Sequence, residues 1–84
     1  MLVKLKTPIK DDFDNEVTEL NIPAGPPTIG GIRGASALRE KDPEGFELKV
    51  LSNLTGYKIP VLEQITLTDW AEVDRALGEY FQGS

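Results

Sequence analysis

The sequence predicts an α+β fold: an N-terminal β-hairpin followed by two or three α-helices, in a single domain spanning residues 1–84. Three observations carry this expectation. Apolar and charged residues alternate through residues 1–22, Pro23-Ala24-Gly25-Pro26-Pro27 interrupts them, and beyond it apolar residues recur every three or four positions. The chain therefore divides into a hairpin (1–22), a proline-rich connector (23–27) and a helical part (28–84).

Leu2, Val3, Leu5 and Ile9 are interleaved with Lys4, Lys6 and Lys10, and Val17, Leu20 and Ile22 with Glu16, Glu19 and Asn21. Such alternation suits two half-buried strands. Asp11-Asp12-Phe13-Asp14-Asn15 lies between them, a stretch whose short polar side chains bond their own backbone and tolerate left-handed conformations. One strand is basic and the other acidic, so cross-strand pairs of opposite sign favour this partner. The connector cannot extend a strand, because proline lacks the ladder N–H and pushes its predecessor toward extended backbone.

Thr28 is placed to cap a first helix running to about Arg39, with Ile29, Ile32, Ala35 and Leu38 inward. Gly30, Gly31 and Gly34 weaken it by roughly 1 kcal/mol each relative to alanine. Asp42-Pro43-Glu44 is a clearer start, with a capping carboxylate, proline in the first turn and an acid beside the helix dipole. Phe46, Val50, Leu54 and Tyr57 follow at helical spacing, broadened by Leu48 and Leu51, and Gly56 is the stop. Pro60 opens a single turn through Gln64. Thr66-x-x-Asp69 has the form of a capping box, with Ile65 and Trp70 at the flanking staple positions. Trp70, Val73, Leu77 and Tyr80 or Phe81 then form one stripe, opposite Glu72, Asp74, Arg75 and Glu79.

Composition narrows function. The chain has 84 residues, with 9 Lys+Arg, 14 Asp+Glu, no His and no Cys. Zinc sites built on Cys or His, thiol nucleophiles and Ser-His-Asp triads are therefore excluded. A net charge of −5 argues against general nucleic-acid binding, which needs a basic surface. No apolar run approaches the roughly 18 residues of a membrane span, and none forms a signal core. The expectation is a cytoplasmic, cofactor-free protein that is not an enzyme, since no carboxylate sits in an apolar stripe that would raise its pKa. A domain this small, without staples, often gains stability by association, so self-association is a further expectation.

Other motifs yield bland readings. Gly30-Gly31-Ile32-Arg33-Gly34 could seat a phosphate, but it matches neither a dinucleotide fingerprint nor a P-loop, and close helix approach or a flexible entry explains it better. Asp11, Asp12, Asp14 and Glu16 suggest a calcium loop, yet Glu16 and Ile22 fall where that loop needs glycine and glutamate. Asn53-Leu54-Thr55 is a glycosylation sequon without a secretory context. Phe46, Tyr57, Trp70, Tyr80 and Phe81 are first of all core residues, with Tyr80-Phe81 the expected exposed anchor.

Several segments together carry a resemblance. They are Val3-Lys4-Leu5-Lys6-x-Pro8, Glu16-Val17-Thr18-Glu19-Leu20, Pro27-Thr28-Ile29-Gly30, Leu51-Ser52-Asn53-Leu54-Thr55-Gly56, and Leu62 with Leu67-Thr68-Asp69-Trp70 before a helix ending in Phe81. In this order the chain resembles the small tail assembly chaperones of contractile-tailed phages and Mu-like prophages. It departs from them at Gly31, where the family often has an acid. The resemblance implies a non-catalytic protein that coats the tape measure protein in the host cytoplasm. Tube polymerisation would displace it, so it would be missing from the virion, and a longer frameshifted product often accompanies it.

The expected contact surface is the apolar side of the last helix (Trp70, Val73, Leu77, Tyr80, Phe81) with Phe46, Val50 and Leu54. Two rival readings are a structural component of the tail or baseplate, and an acidic inhibitor or mimic that occupies a basic host protein.

Overall fold

The computed structural model describes residues 1–82. Strands β1 (Leu2–Lys10) and β2 (Glu16–Asn21) form an antiparallel hairpin. Among the described residues four helices follow: α1 (Ile29–Ile32), α2 (Pro43–Thr55), α3 (Ile59–Leu62) and α4 (Leu67–Gln82), with a 3-10 turn at Ser36–Leu38. The fold is α+β, and α2 and α4 are its two long helices. The expected helical part reaches 84, and its last two positions lie outside the described residues. No helix among those described is long and apolar enough to cross a membrane.

The hairpin pairs Lys4 with Glu19 and Lys10 with Glu16, the opposite-sign register expected. Between these pairs the ladder slips. Lys4 faces Glu19 and Ile9 faces Val17, so Leu5, Lys6, Thr7 and Pro8 stand opposite Thr18 alone. Pro8 brings no N–H to a ladder, which makes it a natural place to open one. The slip also solves a facing problem. Val17 and Leu20 are three residues apart, so a regular strand would turn them to opposite faces, yet both are buried. Leu2 is 52% exposed, and its neighbour Val3 takes the core side.

In the turn, one Asp11 carboxylate oxygen accepts the N–H groups of Phe13 (2.8 Å) and Asn15 (2.9 Å). Asp14 adopts φ +61, the left-handed backbone that aspartate tolerates.

The first helix is much shorter than expected. Thr28 caps it, its hydroxyl accepting the Gly31 N–H at 3.2 Å, but the chain leaves helical geometry at Arg33 (ψ 126) and turns through Gly34 (φ +76). Three glycines in five residues remove the side-chain contacts that would hold a longer helix. Ala35 is buried and Ile32 and Leu38 are half-buried, whereas Ile29 is 83% exposed instead of inward.

Helix α2 begins where expected. Asp42 accepts the Gly45 N–H at 3.1 Å, and the helix ends at Gly56 (φ +84). Its Leu51-to-Gly56 segment is occupied with structural work. Leu51 is core, the Ser52 hydroxyl donates to the Tyr57 carbonyl (2.6 Å), and the Thr55 hydroxyl donates to the Leu51 carbonyl (2.8 Å). The Asn53 amide donates to the carbonyls of Gly31 (3.0 Å) and Arg33 (2.9 Å), tying α1 to α2. The sequon asparagine is thus a tether. Val50 and Leu51 of α2, Val61 and Leu62 of α3, and Val73 and Leu77 of α4 pack with the inward face of the hairpin in one core.

Asp69 joins the two halves. The Thr66 hydroxyl accepts the Asp69 N–H (3.3 Å), which is half of the expected capping box. The reciprocal half is replaced. The Asp69 carboxylate accepts the N–H groups of Lys6 (3.0 Å) and Thr7 (2.9 Å), the stretch that the ladder slip releases. Those two backbone bonds, together with Thr66 and Lys6, hold its pKa below the ordinary carboxylate range against the opposing effect of burial.

Candidate interaction groove

A groove of about 250 Å³ lies where α2, α3 and α4 meet. Its floor is apolar: Leu48 from α2, Leu62 from α3, Ile65 from the connecting loop and Trp70 from α4. Leu67, in the first turn of α4, stands at its edge 88% exposed. The capping of α4 at Thr66 fixes where Leu67 and Trp70 emerge, one helical turn apart on the same side. Glu44 and Glu63 form the rim, and no basic residue lines the groove.

A second cavity, about 380 Å³, is lined by Pro27, Ile32, Arg39, Phe46 and Phe81 among others. Phe46 stacks on Phe81 with ring centroids 5.5 Å apart.

The eight expected contact residues separate into two sets. Val50, Val73, Leu77 and Tyr80 are at most 2% exposed and belong to the core. Trp70, Phe81, Phe46 and Leu54 are half-buried, leaving surface for contact. Tyr80 corrects the expected exposed anchor. Its hydroxyl accepts the N–H of Thr28, the cap of α1 (3.2 Å), and lies against Gly31.

Leu67, Leu48 and Ile65 join the groove without belonging to the expected contact surface. Leu67 had a signal: it is a large aliphatic residue immediately after a cap, one turn before the stripe that starts at Trp70. Phe13 is another exposed aromatic (83%), carried at the hairpin tip beside Tyr57 and Lys58. The Lys58–Asp12 ion pair (3.3 Å) spans the same place.

The stripe criterion also missed one carboxylate. Glu47 of α2 lies against Asp74 of α4, one turn beyond Trp70, and its Oε2 is buried without a hydrogen-bond partner. Burial first, then a proton shared with Asp74, the Asp74 charge and the Glu44 charge push its carboxyl up from 4.5 to about 7. Among the described residues no three acidic side chains converge to hold a metal ion.

The pH consequence has a definite sign. Between 4.5 and about 7 the folded chain keeps a proton that the unfolded chain releases, so stability falls as pH rises through that window. The side chain is part-exposed and screened, so about 1 kcal/mol is at stake. Glu47→Gln should therefore melt higher than the parent at pH 8 and match it at pH 4.5, as thermal denaturation followed by circular dichroism would show. A parent equally stable at both pH values, with no gain from glutamine, would contradict the shared-proton arrangement.

No protein-family model, curated protein or solved structure matches the chain.

Proposed function

We propose that the chain is a non-enzymatic phage tail assembly chaperone that binds helical segments of the tape measure protein. It keeps that protein soluble in the host cytoplasm until the tail tube polymerises around it. The observation that supports this best is Leu67 standing exposed beside half-buried Trp70, within the Leu67-Thr68-Asp69-Trp70 segment of the resemblance. Asp69 of that segment has a folding task, whereas Leu67 has little contact with its own chain. An exposed aliphatic residue at the edge of an apolar groove suits capture of an amphipathic helix.

Co-expression with the tape measure protein encoded beside it tests the proposal. The expected result is a soluble tape measure protein that co-purifies with this chain. A tape measure protein that is equally insoluble with and without the chain would end the chaperone reading. So would the chain's presence in purified virions, which would point to a structural tail component.

A further inference from the structure

The charge around the groove says what kind of helix it takes. Glu44 and Glu63 stand on its rim, and Glu47 and Asp74 lie one turn beyond Trp70. The ion pairs among the described residues, Lys58–Asp12 and Arg75–Glu72, use other carboxylates. The groove is thus an apolar floor bordered by Glu44 and Glu63, which have no cation of their own among the described residues. A second copy of this chain is a poor occupant, since a two-fold contact would set the same acidic rims against each other.

We propose that the α2–α3–α4 groove binds an amphipathic helix whose apolar stripe is flanked by lysine or arginine. Its apolar residues cover Leu48, Leu67 and Trp70, and its cations answer Glu44 and Glu63. The identity of the protein that supplies this helix rests on the chaperone reading; the chemistry of the groove does not.

The probe is an 18-residue peptide with leucine at helical spacing and lysine on both flanks, compared by calorimetric titration at low salt with a peptide carrying glutamate on both flanks. The lysine peptide should bind and the glutamate peptide should bind at least about tenfold more weakly. Leu67→Lys, at a position too exposed to disturb folding, should cost about tenfold in affinity. Glu63→Lys should cost about fivefold, while Glu79→Lys, the same charge change elsewhere on the surface, should cost less than about twofold.

Equal binding of the two peptides, equal losses at Glu63 and Glu79, or no loss at Leu67 would each overturn the proposal. A dimer in sedimentation that Leu67→Lys abolishes would also overturn it, by making a second copy the occupant. If the peptide arm fails while the tape measure protein is still solubilised, the chaperone uses another surface. If the peptide binds while co-expression fails, the groove chemistry stands and the chaperone reading falls.

Discussion

Replacing Asp69 with alanine should lower the melting temperature at pH 7 by about 10 °C, a large loss for one polar side chain. The reason is the ladder slip in β1. Lys6 and Thr7 lose their partners on β2 there, and the Asp69 carboxylate takes both N–H groups at 3.0 and 2.9 Å from 3% exposure. Alanine would leave two part-buried donors without their acceptor, and such groups are costly to strand. Asparagine keeps one acceptor but turns an amide donor toward the other N–H, so Asp69→Asn should fall between parent and alanine.

Amide exchange at Lys6 and Thr7 supplies a local reading, and it should quicken in both variants. A change under about 2 °C for alanine, with exchange unaltered, would show that the carboxylate is not what holds β1 to α4. Acid should act in the same direction. The native carboxylate titrates below its ordinary value of 3.8, so its contribution is present above that pH and is lost as pH falls further. With Glu47 losing stability upward from 4.5, these two groups together favour a maximum between 3.8 and 4.5.

Gly31→Ala should destabilise the chain by about 2 kcal/mol, although alanine is the better helix former. A Cβ at residue 31 would lie 2.1 Å from the Tyr80 hydroxyl and 3.2 Å from Leu54 Cδ2. The backbone there cannot retreat freely, because the Gly31 carbonyl is held by Asn53 and Thr28 by Tyr80.

The diagnostic result is the double variant. Tyr80→Phe alone should cost about 1 kcal/mol, by removing the acceptor for the Thr28 N–H. Combined with Gly31→Ala it should restore stability relative to Gly31→Ala alone, since the oxygen at 2.1 Å is gone and the next ring atom lies at 3.2 Å. Denaturant melts of the four proteins give the coupling directly. Additive losses would mean that the hydroxyl is not the obstacle. An acidic side chain at this position would likewise have to displace Tyr80.

Much of the fold was legible because local signals agreed with the tertiary outcome. Asp42-Pro43-Glu44, Gly56 and Thr66 each mark an end by chemistry that acts within a few residues, and the observed helices begin and stop there. The misses lie where a partner distant in sequence decides. By spacing Asp69 is half of a local cap, yet residues sixty-two and sixty-three positions away claim its carboxylate. Tyr80 has the sequence character of an exposed anchor, but Thr28 at the cap of α1 donates its N–H to the hydroxyl. The first helix failed for a local reason, since glycine offers neither a core contact nor a barrier to the turn at Gly34.

The contact surface divided similarly. Stripe spacing located Trp70, but it selected core residues with it, because a stripe that faces the core and one that faces a partner have the same period. Leu67 and Leu48, which flank Trp70 in the groove, became visible only once α2, α3 and α4 were placed together.

Trp70 is the chain's single tryptophan, and it lines the groove. Its fluorescence is therefore the most direct measurement of whether a tape measure helix sits there. On titration with a tryptophan-free helical segment of that protein, the emission should shift to shorter wavelength and become protected from acrylamide, and Leu67→Lys should suppress both changes. Binding that leaves the emission and quenching of Trp70 untouched would contradict the account.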